Sequence, residues 1–144
     1  MELAESIESI ESIEPTVVNV KTSELKKKGF DNFDKWSEDK THLYVGRDMS
    51  KFVNGAKASK WQNPFKVTDF TREQVLEKYE DYVRESNLIN QLSELDGKVL
   101  GCWCHPLGCH GHVLQKLHKE MCKNRLIKNE QDLLVVNNYN FPPL

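Results

Sequence analysis

Apolar residues fall in short clusters along the chain, and the period within each cluster predicts its structure. Thr16-Val-Val-Asn-Val20 is a β-branched run too short for a helix and reads as a buried strand. Ser23 is placed to cap a short helix through Leu25 and Lys28 that stops at Gly29. Phe30, Phe33 and Trp36 recur at spacing three, predicting a second helical piece with its aromatics inward. His42-Leu-Tyr-Val-Gly46 predicts a second strand, ending in Gly46-Arg47. The clearest helix runs from Thr71 to Glu85, where Thr71 and Gln74 form a capping box and Val75, Leu76, Tyr79, Tyr82 and Val83 make one apolar stripe. Leu88 to Leu95 adds a short helical piece, and Asp96-Gly97 a turn. A strand over Lys98 to Cys104 follows, then a helix over Gly111 to Met121 with Val113, Leu114, Leu117 and Met121 inward, and a late strand at Leu133 to Val136.

Alternating strands and helices argue for an α/β fold, here a small Rossmann-like three-layer domain with a mostly parallel sheet. In such sheets ligands sit beyond the carboxyl ends of the strands. Two unusual segments leave from predicted strand ends. One is the long stretch from Asp48 to Asp69, which has no period but keeps Phe52, Trp61 and Phe65, as a structured binding loop would. The other is GCWCHPLGCHGH, residues 101–112, which holds three of the four cysteines and three of the five histidines.

Charge and composition narrow the setting. Ile-Glu-Ser repeats at a period of three from Ser6 to Glu14, a period that drifts around a helix, and residues 1–15 are expected to form a disordered acidic tail before one domain over residues 16–144. The net charge is −2, and with the tail's five Glu set aside the body carries 20 positive against 17 negative charges. The slightly acidic whole does not advertise nucleic acid as a partner, while the mildly basic body leaves weak binding open. No apolar run reaches membrane-spanning length and the N-terminus lacks a signal-peptide layout, so a cytoplasmic protein without a membrane partner is expected. In a reducing compartment the cysteines are expected as thiols, ligands or a nucleophile.

The Cys/His cluster divides by geometry. Cys102 and Cys104, two apart on a strand, would share one face; with Cys109 and His110 they offer the thiol and imidazole donors that zinc prefers. The alternative for Cys102 and Cys104 is that they are small buried hydrophobes. Cys109 and His110 lie at the predicted start of a helix, where free N–H groups favour anions and would lower a thiol's pKa. The alternative for His110 is that it caps the helix or satisfies a turn carbonyl. Arg47 offers a planar fork for phosphate or carboxylate, and Lys60, Trp61 and Asn63 through Phe65 offer a cation, an aromatic platform and an amide.

The strings LYVGR, SKWQNPF, TREQVLEKYEDYV and GKVLGCWCHPLGCHGHVL, in this order, resemble the DUF4326 family of small domains found in large DNA viruses, phages, bacteria and fungi. The resemblance spans about residues 16–118 and implies that Asn19, Arg47, Ser59, Lys60, Trp61, Asn63, Pro64, Phe65, Cys102, Trp103, Cys104, Cys109 and His110 belong to a shared layout. The chain departs from that pattern at Gln62, where the family has Gly, and at His112, where it has Asp. The family name supplies no reaction.

Taken together, these residues predict a domain that binds a small nucleotide-like ligand. Arg47 and helix N–H groups would hold phosphate, Trp61 or Phe65 would stack on a base, and Asn63 would read a polar edge, with Asn19, Ser59 and Lys60 nearby. Cys109 as nucleophile or His110 as acid/base would make it a hydrolase or a glycosidic-bond transferase. Two other readings stay open: a non-catalytic, zinc-stabilised interaction or virion-associated module, and a single-stranded nucleic-acid binder using Lys60 and Trp61.

Overall fold

The computed structural model describes residues 13–105 and 107–140. The chain folds as an α/β unit around three strands, β1 (Thr16–Asn19), β2 (His42–Tyr44) and β3 (Val99–Cys102), all parallel and in the order β1-β3-β2. Residues 1–12, most of the acidic repeat, lie outside the described residues. Residues 13–15 do not belong to a loose tail: Gly97 N–H donates to the Ile13 carbonyl at 2.8 Å and Gln115 Nε2 to the Pro15 carbonyl at 2.7 Å.

Side chains alternate across the sheet as the strand period requires. On one face Val18, Val99 and Tyr44 pack with Leu25, Phe33 and Trp36 of two short helices, α1 (Thr22–Lys27) and α2 (Phe33–Ser37). On the other face Val17, Leu43, Leu100 and Cys102 pack against α3 (Arg72–Glu85), a 3₁₀ helix (Asn87–Leu95) and the first turns of α4 (His110–Asn140). Helices therefore cover both faces. The path from β1 to β2 crosses two strand positions over the first face, and the path from β2 to β3 returns one position over the second. Reversing direction and face together keeps both crossovers the same hand, as parallel connections require.

Local chemistry explains the boundaries. Helix α1 ends because Gly29 turns left-handed (φ 95°), letting Gly29 N–H reach the Lys26 carbonyl and Phe30 N–H the Leu25 carbonyl. The capping box at Thr71 and Gln74 forms as predicted. Ser23 does not cap α1: the cap position is Lys21, with no side-chain bond, and Ser23 sits inside the first turn. The third strand stops at Cys102, so Cys104 lies beyond it and is exposed.

Leu133 to Val136 are helical, not a strand. No Gly or Pro interrupts the chain between Gly111 and Pro142, so a helix nucleated by the packed turn at Val113 and Leu114 propagates through the β-branched run.

Candidate functional site

Asn19, the last residue of β1, is the joint from which the site is built. Its Nδ2 donates to the carbonyls of His105 (2.8 Å) and Trp103 (3.4 Å), and its Oδ1 accepts from Lys21 N–H (2.9 Å). These bonds tie the carboxyl end of β1 to the segment that leaves β3. The two strands are neighbours, yet the chain departs from β1 over one face and from β3 over the other. That is a topological switch point, where open parallel sheets form a crevice.

A cleft of about 760 Å³ occupies the crevice. Trp103, Cys104, His105 and Leu107 form one wall, and Lys21, Ser23, Glu24 and Lys28 of the α1 region form the other, with Asn19 at the base. Arg72, at the start of α3, completes it and donates from Nη1 to the Gly108 carbonyl at 2.8 Å. Three cations thus face one carboxylate, which makes the cleft net positive.

Behind the cleft runs a hydrogen-bonded chain. Cys109 N–H donates to His112 Nδ1 at 3.2 Å, so neutral His112 carries its proton on Nε2 and donates to His105 Nδ1 at 3.2 Å. Burial, with the nearby His105 adding to it, holds the His112 pKa below the usual histidine range and favours this neutral form. His105 in turn keeps its remaining proton on Nε2.

Cys102 and Cys109 are both buried, with their sulfurs 3.3 Å apart. The hydrogen bond shared with Cys109, reinforced by the N–H groups of His105 and Cys104, holds the Cys102 thiol below the usual cysteine range despite burial. The same bond raises Cys109, since a second thiolate beside the first is repelled. Placement at the start of a helix would lower the Cys109 pKa, but here the adjacent sulfur outweighs the helix end.

His110 opens α4 but turns away from the cysteines: Nε2–H donates to the Val45 carbonyl at 2.5 Å, and its ring meets the edge of Tyr79 at 5.1 Å. Burial lowers its pKa. Cys102, Cys104, Cys109 and His110 therefore do not converge, and among the described residues no three His, Cys, Asp or Glu side chains are grouped to hold a metal ion.

The loop residues separate from the Cys/His cluster. Arg47 is exposed and lines neither this cleft nor a second one of about 650 Å³ beside edge strand β2. Ser59, Lys60 and Trp61 border that second cleft. Trp61 is only 1% exposed and its carbonyl accepts from the Tyr79 hydroxyl at 2.6 Å, so its ring is core rather than a platform. Lys60 pairs with Glu94 at 2.5 Å and donates to Gln91 at 2.6 Å. Ser59 Oγ and Asn63 Oδ1 each accept from a backbone N–H two residues on, shaping the loop's own turns. Phe65 packs edge-on to Phe70 and Tyr82.

Sequence reasoning missed Lys21, Lys28, Arg72 and His105. Their signal was positional: Lys21 and His105 fall just past strand ends, Arg72 at a helix start and Lys28 at the end of α1, and once the order β1-β3-β2 is known they meet in one crevice.

The fold and this cleft define a class, a small parallel α/β domain with a basic crevice at the carboxyl ends of its strands. Within that class the chain belongs to the family described as "Domain of unknown function (DUF4326)", which matches residues 30–120. It is similar to an uncharacterised protein of Acanthamoeba polyphaga mimivirus, 37% identical over 86 residues, an alignment covering 54% of this chain and 66% of the relative. No solved structure matches the chain. No helix among the described residues is long and apolar enough to cross a membrane.

Proposed function

We propose that this is a Rossmann-like three-layer domain that binds a small anionic, nucleotide-like molecule in the cleft between β1 and β3. The observation carrying the reading is the coincidence of a basic crevice with the switch point of a parallel sheet, the place where such sheets bind ligands. Helices on both faces support the three-layer description. Lys21, Lys28 and Arg72 would hold phosphate or carboxylate, and Trp103 would supply apolar surface. The ligand thus moves from Arg47 and the Lys60 to Phe65 loop to the opposite edge of β3.

Catalysis, on this reading, moves with it. Cys104 is the exposed cysteine and His105 lines the same cleft, whereas Cys109 is buried and His110 is committed to Val45. His105, with its imidazole partner His112, suits acid/base work in hydrolysis or transfer at a phosphoester or glycosidic bond. The working compartment would be the cytoplasm, a reading compatible with a relative of viral origin.

Thermal-shift and calorimetric titration with nucleoside phosphates and ADP-ribose tests the proposal. A ligand at a hundred times its Kd stabilises the fold by about 2.7 kcal/mol. Arg72→Gln and Lys28→Gln should weaken that effect, while Lys60→Gln in the second cleft should leave it. Absence of binding by every one of these ligands, or binding indifferent to Arg72 and Lys28, would refute it.

A further inference from the structure

We infer that Cys102 and Cys109 are a redox-active dithiol, a site of reversible oxidation by small hydroperoxides. Two free thiols face each other in the core with sulfurs 3.3 Å apart, and an S–S bond of ~2.05 Å needs them to close by about 1.2 Å. Metal binding does not account for the pair, since no third ligand joins them among the described residues. Simple packing of two small hydrophobes would not require the sulfurs to share a hydrogen bond. Free cysteine elsewhere behaves differently: Cys122 has an imidazole as its neighbour, with His118 Nδ1 at 3.9 Å, and Cys104 is exposed.

The surroundings suit the chemistry. Cys102 ends the central strand and Cys109 immediately precedes α4, and both are buried, while Cys104, Leu107 and Gly108 between them are exposed. N–H groups of Cys104 and His105 point to Cys102, and those of Gly111 and His112 to Cys109, where they steady negative charge on sulfur as it forms. Next to Cys109 the chain is open to solvent. Leu107 and Gly108 are exposed, and a Cβ added to Gly108 would meet only Leu76, at 3.5 Å. A peroxide molecule is small enough to enter by that side.

The reaction balances as two steps. One sulfur, as thiolate, attacks a peroxide oxygen; the O–O bond breaks, and a sulfenic acid and hydroxide form, the hydroxide taking up the proton that the thiol lost. The second thiol then attacks the sulfenic sulfur, forming the S–S bond and releasing water. In sum two thiols are oxidised to one disulfide while one hydrogen peroxide is reduced to two waters. A small dithiol reverses it by exchange. The crosslink would brace the segment carrying Cys104 and His105, but the assignment does not depend on what the cleft binds.

The full chain, reduced and freed of reductant, is treated with hydrogen peroxide in slight excess and its thiols counted after denaturation. The count should fall from four to two, the mass by two hydrogens, and peptide mapping should find Cys102 joined to Cys109, with dithiothreitol restoring all four. A Cys104→Ser, Cys122→Ser double variant should oxidise in the same way, since it leaves both sulfurs of the pair in place. In Cys109→Ser the reaction should stop at a sulfenic acid that dimedone traps on Cys102. Resistance of the folded protein to peroxide, pairing through Cys104 or between chains, or loss of oxidation in the double variant would each overturn the assignment.

Discussion

Gly101→Ala tests the packing between the sheet and α2, because two effects of opposite sign compete there. The residue lies in the central strand with no left-handed φ, so alanine can adopt its backbone, and relief of glycine's entropy cost would stabilise by ~0.5–1 kcal/mol. Against this, the new Cβ would stand 2.6 Å from Trp36 Cη2 and 2.7 Å from Val20 Cγ1, where carbon contacts are normally ~3.5–4.0 Å. Both neighbours are buried in the same cluster and have no free volume to move into. Overpacking of this kind costs ~1–3 kcal/mol, leaving a net loss of about 1 kcal/mol and at most ~2.5. Urea unfolding followed by tryptophan fluorescence should show a lower midpoint with unchanged m, and the melting temperature should fall by roughly 4 °C. Val20→Ala in the same background should recover part of the loss as a favourable coupling. Gly108→Ala is the control: its nearest neighbour is Leu76 at 3.5 Å, so it should stay within ~0.5 kcal/mol of wild type. A Gly101→Ala protein as stable as wild type, or an equal loss in Gly108→Ala, would refute the reasoning.

Other substitutions probe the joints around the site. Tyr79→Phe removes the buried donor to the Trp61 carbonyl and should cost ~1–3 kcal/mol by the same unfolding assay. Asn19→Asp replaces the NH₂ that holds the Trp103 and His105 carbonyls with an acceptor; it should destabilise by ~1–3 kcal/mol and loosen the cleft, read as faster amide exchange over residues 103–109. His110 and His112 both have folded pKa values below the unfolded one, so the unfolded chain binds more protons as pH falls below ~6.5 and stability is lost in that direction. Melting points taken from pH 7 to pH 5 should decline, the His110 share being at most ~1.4 kcal/mol per pH unit, and His110→Gln should flatten the slope.

Much of the fold was legible because local signals agreed with tertiary demands. The β-branched run at Thr16, the box at Thr71 and Gln74, and the stripe through Val75 and Tyr79 each state one structure at every level. Leu133 to Val136 misled because a four-residue apolar run has no period of its own, and the helix it continues decides its state. Trp61 misled differently: composition says that an aromatic is present, whereas only packing says whether its face meets a ligand or the core.

By itself the sequence determined the element types up to Met121, the parallel α/β class, the family, and the concentration of thiols and imidazoles between residues 101 and 112. Those are properties of short windows, where spacing maps directly onto strand or helix periodicity. The tertiary structure decided the order β1-β3-β2, and with it which strand ends are neighbours. From that order follow the crevice that gathers Lys21, Lys28, Arg72 and His105, the turning of His110 to Val45, and the meeting of Cys102 with Cys109. These juxtapositions join residues by chain crossover and loop closure, which local spacing does not encode.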